Sequence, residues 1–462
     1  MIKIQFDKPI RVHFIGIGGI SMSGLAEILL SRGFTVSGSD SKESPLTNLL
    51  TQKGATIYYG QRATNIKEGT DLVVYTAAIH PDNPELCAAQ QMGIPCITRA
   101  ELLGQLMKCY DTPIAVSGTH GKTTTTSMLS EILLQMDVDP TLSIGGILKD
   151  IGGNIRIGST DYFVAEACEY TNSFLSFFPK IAIILNIDAD HLDFFKDLND
   201  IRNSFRKFAQ LLPADGTLVI NGEIPHVTEI TDGLSCRVIT YGIDPSFDVY
   251  ADGITYDEMA RPSYTVHVKH ADGEASFPVS LGVTGAHNVS NSMAAIAVAD
   301  LLGGSSQAIT AALLKFTGTD RRFEYKGMLG KTTVIDDYAH HPTEIAATLK
   351  TAANYPHKET WCVFQPHTYT RTKALLPEFA EALSLADHVV LADIYAARET
   401  DTLGISSETL QKEIQKKGGD CYYFPSFDEI ENFLLQKCEP GDLLITMGAG
   451  DVFKIGEKLL GK

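Results

Sequence analysis

No uninterrupted apolar run in this sequence approaches the ~20 residues needed to cross a bilayer. Lys3, Asp7 and Lys8 stand where a secretory leader would carry its apolar core. A cytoplasmic protein without stable membrane association is therefore expected. Cysteine pairing is missing as well: Cys87, Cys96, Cys109, Cys168, Cys236, Cys362, Cys421 and Cys438 are scattered, with no CxxC pair and no framework spacing. Free thiols follow. Positive charge is in deficit, and a formal net charge of -18 repels phosphate backbones and anionic membranes at long range. Nucleic acid is not an expected partner, and an anionic ligand has to be captured locally, by amide nests or single Arg and Lys residues.

What remains is globular in character, 44% hydrophobic and 20% charged, and its 462 residues exceed what one core usually holds, so two or three domains are expected. Short β-branched runs ending in glycine or aspartate alternate with amphipathic helical stretches, which predicts an α/β protein with mainly parallel sheets. Three of these runs each open a candidate domain: Val12 to Ile15 before Gly16, Ile114 to Val116 before Gly118, and Thr333 to Ile335 before Asp336. Pro113 follows the helix-like stretch 100–108 and Thr317-Gly318-Thr319 follows the helix-like stretch 307–315, which predicts domains over 1–110, 111–317 and 318–462. Alternation around Gly253 and Gly273 predicts antiparallel hairpins within 248–278.

The strongest chemical signal is Gly118-Thr119-His120-Gly121-Lys122-Thr123-Thr124, set between an apolar strand and a helix. That context aims main-chain N–H groups and a helix N-terminus at a phosphate, with Lys122 for the outer phosphates and Thr123 for Mg2+. The general G-x-x-x-x-G-K-[ST] pattern would need glycine at Val116, so this is a variant loop. ATP is the expected ligand. An apolar strand then delivers Glu166 at its carboxyl end, and another, expected over 181–187, leads into Asp188-Ala189-Asp190-His191-Leu192-Asp193. Carboxylates there suit Mg2+; His191 reads equally as a ligand, an orienting residue or a surface residue.

The run Gly16-Ile17-Gly18-Gly19-Ile20-Ser21, with Asp40 ending the next strand, resembles a dinucleotide fingerprint whose third glycine is Ser21. It allows a nicotinamide site, another nucleotide's diphosphate site, or a tight turn; no hydride-transfer constellation accompanies it. In His287-Asn288-Val289-Ser290-Asn291 the two amides fall three apart on one helix face, to pair with an adenine edge or to cap the helix. Arg321-Arg322 supplies either charge for a γ-phosphate or an exposed basic pair.

Together with Asn186 to Asp193, Arg321-Arg322-Phe323-Glu324, Asp336-Asp337-Tyr338-Ala339-His340-His341-Pro342 and the run Gln365 to Thr372, these motifs resemble the Mur ligases from end to end. The resemblance implies a Rossmann-like N-terminal domain holding a UDP-sugar through Gly18, Gly19, Ser21 and Asp40, a central P-loop ATPase domain, and a Rossmann-like C-terminal ligase domain. It places Lys122 on the β- and γ-phosphates, Thr123 and Glu166 on Mg2+, and His191 on a second Mg2+. His287, Asn288 and Asn291 are then expected around adenine, Asp337 on the ribose, and Arg321 or Arg322 near the γ-phosphate. His340, His341, His367, Tyr369 and Arg371 match positions near the muramate or the incoming amino acid.

The reaction implied is joining of L-alanine to the lactyl carboxylate of UDP-N-acetylmuramate through an acyl phosphate, with Lys122, Glu166, His191 and Arg322 in catalytic roles. The sequence names no base for the amine; His341 and His367 are candidates. Two departures stand beside these residues: Thr368 where some relatives have Arg, and Cys168 with Tyr170 where many have Asp and Ser.

Overall fold

β1 (Arg11–Ile15), β2 (Thr35–Asp40), β3 (Thr56–Tyr59), β4 (Leu72–Tyr75) and β5 (Cys96–Thr98) form the first of three sheets among the described residues of a computed structural model. The structure describes residues 3–76, 79–192, 194–397, 399–400 and 403–462, so Asp193 lies outside the described residues. All pairs of this sheet are parallel, in the order β3-β2-β1-β4-β5, with helix Ile20–Ser31 crossing from β1 to β2. Val12, His13, Phe14 and Ile15 are all buried, as a strand covered on both faces requires, and the ligand crevice of such a sheet lies at the carboxyl end of β1.

Two compact units divide the chain: Met1–Ile187 with Arg202–Thr240 and Val298–Gly304, and Asp188–Ile201 with Tyr241–Ala297 and Ser305–Lys462. The first unit also holds β6 (Thr112–Ser117), β7 (Thr141–Leu148), β8 (Gly153–Arg156), β9 (Tyr162–Ala167), β10 (Ile181–Ile184) and β11 (Thr217–Asn221). They run β8-β7-β9-β6-β10-β11, parallel except for β8, and β6 is buried from Pro113 to Ser117. β10 is shorter than the expected strand: Leu185 still donates to Ser117 O, but Asn186 turns away to serve the loop after β6.

At the second unit's edge, Tyr241 and Gly242 of β12 (Arg237–Gly242) pair with Val249 and Tyr250. β13 (Val249–Tyr256), β14 (Pro262–His270) and β15 (Gly273–Ser280) then form the expected antiparallel hairpins. Last come β16 (Glu324–Leu329), β17 (Thr332–Asp337), β18 (Thr360–Phe364), β19 (His388–Leu391), β20 (Asp420–Tyr423) and β21 (Leu443–Met447), in the order β16-β17-β21-β18-β19-β20. Only β16 is antiparallel within this sheet. Successive residues of β18 feed opposite layers, Cys362 and Phe364 against Phe379 and Leu383, Trp361 and Val363 against Leu434 and Ile455.

Candidate functional site

After Ser117 the chain turns through Gly118 (φ +146°) and Gly121 (φ +83°) into helix Lys122–Gln135. A Cβ at Gly118 would sit 2.8 Å from Leu185 Cβ, so both backbone conformation and space require glycine. Asn186 buttresses the loop: its Oδ1 accepts from His120 N–H at 2.7 Å, its Nδ2 returns a bond to His120 O at 3.0 Å, and its carbonyl accepts from Thr119 N–H at 3.2 Å. Lys122, Thr123 and Thr124 open the helix, where N–H groups lack intrahelical acceptors and the dipole favours an anion.

Lys122 Nζ donates to Gly118 O at 2.6 Å and Thr119 O at 2.9 Å, and pairs with Glu169 at 3.0 Å. Burial opposes its charge, but the Glu169 carboxylate outweighs burial and lifts the pKa above the ordinary lysine value. Glu166, in register with Val116, accepts from Thr123 Oγ1 at 3.2 Å and from Gly145 N–H at 2.5 Å. Two hard oxygen donors thus stand side by side at the helix start, a set that suits Mg2+.

In the fingerprint loop, Gly16 and Ile17 N–H both donate to Ser39 O, at 2.8 and 2.9 Å, and Gly18 N–H donates to Asp40 Oδ2 at 2.8 Å. A Cβ on Gly18 would approach that same carboxylate oxygen to 2.8 Å. Gly19 caps helix Ile20–Ser31 without a side chain, and Ser21 lies half-buried in its first turn. Asp40 therefore holds the loop from the end of β2.

In the second unit, Asn288 Nδ2 donates to Thr284 O at 2.7 Å while its Oδ1 accepts from Asn291 Nδ2 at 2.9 Å, both side chains being buried. Burial, with the charge of Arg322, draws His287 down to about 4, so it is neutral at physiological pH. The two arginines differ. Arg321, at φ +62°, bonds Asp336 Oδ2 at 2.9 Å, Gly448 O at 2.6 Å and Gly450 O at 3.2 Å, between the rings of Tyr338 and Phe453. Its charge serves the C-terminal sheet, whereas the charge of Arg322 is felt at His287 and Asp337. Burial raises Asp337 to about 6, and its two oxygens accept from Phe323 N–H at 2.8 Å and Ala339 N–H at 2.7 Å. Each oxygen keeps a second lone pair for a further donor.

Asp190 Oδ1 accepts from Arg371 Nε at 3.1 Å and Nη2 at 3.0 Å, and Arg371 Nη1 reaches His367 Nδ1 at 3.1 Å. Burial would raise the Asp190 pKa, but the Arg371 guanidinium overcomes it and holds the carboxyl well below its usual range. Arg371, His367 and His340 line a cavity of about 200 Å3 with Asp190, His191 and Tyr338, and Leu192, Ala374, Leu375 and Ala449 supply its apolar part. His191 is held at φ +53°. Tyr369, half-buried at the start of helix Tyr369–Ala374, does not line this cavity, and neither does His341. His341 caps helix Pro342–Ala353, its Nδ1 accepting from Thr343 N–H at 3.3 Å and its Nε2 lying 3.1 Å from Ala189 O.

Three family descriptions match the chain in succession: "Mur ligase family, catalytic domain" over residues 11–110, "Mur ligase middle domain" over 116–299, and "Mur ligase, glutamate ligase domain" over 321–450. The chain belongs to the Mur ligase family. This Mur ligase is 61% identical over 462 residues, all of both chains, to the UDP-N-acetylmuramate--L-alanine ligase of Agathobacter rectalis. It is 53% identical to the ligase of the same name from Clostridium botulinum, with 98% of this chain and 97% of that one covered. Among solved structures, the UDP-N-acetylmuramate-alanine ligase of Thermotoga maritima superposes with a TM-score of 0.82 at 29% identity, and a murein peptide ligase from Psychrobacter arcticus with 0.74 at 27%, each covering 98% of both chains.

Four residues of this Mur ligase carry site geometry that sequence reasoning did not assign. Asn186 and Glu169 hold the loop and its lysine, Asp190 clamps Arg371, and Glu399 accepts from Thr370 N–H at 3.0 Å beside the cavity. Glu169 carried a local signal, a second acid three residues after Glu166 at the same strand end. Glu399 carried none: it follows Thr370 by 29 residues, and only the folded chain pairs them.

Proposed function

We infer that this chain is an ATP-dependent ligase that joins L-alanine to the lactyl carboxylate of UDP-N-acetylmuramate, yielding UDP-N-acetylmuramoyl-L-alanine, ADP and phosphate for peptidoglycan synthesis in the cytoplasm. The observation that carries the reading is the 61% identity to a ligase of that name over all of both chains. The likeness to the murein peptide ligase is structurally weaker, with a TM-score of 0.74 against 0.82. In the proposed division of labour, residues 1–110 hold the UDP-sugar through Gly18, Gly19, Ser21 and Asp40, 111–317 hold ATP, and 318–462 bring the amino acid.

A carboxylate and an amine do not condense at neutral pH, so the carboxylate needs a better leaving group. Its oxygen attacks the γ-phosphorus of ATP, the bond to the β-phosphate oxygen breaks, and an acyl phosphate and ADP result. Lys122, drawn off Glu169 and the loop carbonyls, takes up charge on the transferring group, and Arg322 adds a second cation. The N–H groups of the loop and helix start fix the phosphates, while His287, Asn288 and Asn291 surround the adenine and Asp337 the ribose. Thr123 Oγ1 and Glu166 Oε2 would hold Mg2+, and His191 is the residue proposed for a second ion; bound Mg2+ neutralises phosphate charge. His340, His367 and Arg371 present the amino acid to the acyl carbon.

The test is incubation with Mg-ATP, UDP-N-acetylmuramate and each of L-alanine, glycine, L-serine and the stem tripeptide, with products read by mass. L-alanine is expected to give the highest kcat/KM, with slow turnover of glycine and serine, because one methyl is worth only about 1–3 kcal/mol. Preferred ligation of the tripeptide would move the chain to the recycling reaction, and absence of any product would sink the ligase reading.

A further inference from the structure

The ligase reaction needs a group to receive the proton that the amine loses, and the hydrogen bonds of three histidines distinguish them. Arginine only donates, so the contact from Arg371 Nη1 makes His367 Nδ1 an acceptor and puts the ring proton on Nε2. His341 is fixed the same way round, since Thr343 N–H donates to its Nδ1 and its Nε2 faces the Ala189 carbonyl. His340 is the reverse. Its Nδ1 lies 3.1 Å from Tyr338 O and 3.3 Å from Glu344 Oε2, and both partners accept, so Nδ1 carries the proton and Nε2 carries the lone pair.

No hydrogen bond occupies His340 Nε2 among the described residues, and its ring lines the cavity 5.8 Å from that of His367, edge to face. The cavity wall therefore offers donors from Arg371 and His367 and an imidazole acceptor from His340, beside the carboxylates of Asp190, which Arg371 pairs, and Glu399. A small α-amino acid has a carboxylate for the donors and an amine N–H for the acceptor. Burial keeps His340 neutral, its pKa drawn to about 4, so the lone pair is present at physiological pH.

We propose that His340 is a catalytic residue whose Nε2 accepts the proton of the incoming amine. The inference rests on the ligase reading. The amine nitrogen bonds to the acyl carbon, one N–H proton passes to His340 Nε2, and the carbon–oxygen bond to the phosphate breaks, with phosphate leaving on the electron pair. A weak base suffices, because the nitrogen becomes strongly acidic once it bonds to the acyl carbon. His340 afterwards releases the proton to solvent.

His340→Asn keeps a donor near the position of Nδ1 and removes the Nε2 lone pair. The variant is compared with wild type in two reactions under identical Mg-ATP and UDP-N-acetylmuramate: ligation of L-alanine, and trapping of the acyl phosphate by hydroxylamine, a nucleophile that is already neutral and needs little help from a base. L-alanine ligation is expected to fall about 100-fold or more while hydroxamate formation stays within about 3-fold of wild type. Equal loss in both reactions, or retention of L-alanine ligation, overturns the proposal.

A readout independent of folding and turnover is the 15N imidazole spectrum of the wild-type protein, with the His340 resonance assigned from the variant or, if that does not fold, from His340→Gln. An Nδ1–H tautomer supports the proposal and an Nε2–H tautomer overturns it. Wild-type protein yielding neither product nor hydroxamate would remove the ligase reading itself, and the proposal with it, a failure distinct from selective loss in the variant.

Discussion

Lys122 shows how a motif residue acquires a second set of obligations in the fold. Its ammonium bonds two loop carbonyls and Glu169, which is 2% exposed, so on the proposed mechanism removing it takes a charge from the transferring phosphoryl group and also takes the lysine partner from a buried carboxylate. Lys122→Met is expected to lower phosphate release about 100-fold or more and to reduce stability by up to about 3–5 kcal/mol. Adding Glu169→Gln should restore much of the stability and none of the activity, checked by denaturant melts and phosphate assay on both proteins. Independent losses in the double variant would contradict the ion-pair account. At this scale the sequence was legible where chemistry is local: Gly118, Lys122, Thr123 and Glu166 stand in motifs with fixed spacing. It was illegible where a side chain's partner is remote. Nothing in Arg321-Arg322 says which arginine Asp336 will claim, and nothing near Asp190 announces Arg371.

Among the elements, the loop between β6 and helix Lys122–Gln135 depends on a backbone that an L side chain rarely adopts and on contact with Leu185. Gly118→Ala is expected to weaken ATP binding by about 1–3 kcal/mol, roughly 5- to 150-fold in Kd, with the affinity for the UDP-sugar unchanged. Calorimetric titration with each ligand checks it. The strands themselves were readable from β-branched runs because sheets covered on both faces bury nearly every residue, as from Val12 to Ile15 in β1 and from Pro113 to Ser117 in β6. What those runs did not disclose is how strand ends are tied.

The starts of β18, β19 and β20 meet at His388, stacked 4.0 Å from Trp361, with Asp420 at 2.7 Å and Glu359 at 3.0 Å. Burial works against the imidazolium, but the two carboxylates prevail and raise its pKa. A raised histidine stabilises the fold fully below its unfolded pKa and loses that contribution as pH rises through the folded value. The melting temperature should therefore decline from about pH 6.5 upward more steeply in wild type than in His388→Gln. The carboxylates are well exposed, so the difference should not exceed about 1 kcal/mol. Parallel pH profiles of the two proteins would refute this assignment.

For the whole molecule, alternation of strand and helix predicted the α/β class and mainly parallel sheets. Three strand-to-loop transitions marked where ligand chemistry would gather, because such sheets place it at carboxyl strand ends. The cavity around His340, His367 and Arg371 was not foreseeable as a volume or as an arrangement of donors and acceptors, because its wall draws on segments from Ala189 to Ala449. The net charge of -18 makes local capture of anionic substrates the rule throughout the chain, so salt should affect substrate affinity through individual contacts such as Lys122 and Arg371.

The proposed reaction turns on activation of a carboxylate by phosphoryl transfer. UDP-N-acetylmuramate carrying 18O in both lactyl carboxylate oxygens, turned over with Mg-ATP and L-alanine, reports this step directly in the mass of the phosphate released. Transfer of one 18O atom to each phosphate is the predicted result. Phosphate released without 18O, while UDP-N-acetylmuramoyl-L-alanine still forms, would contradict the acyl phosphate.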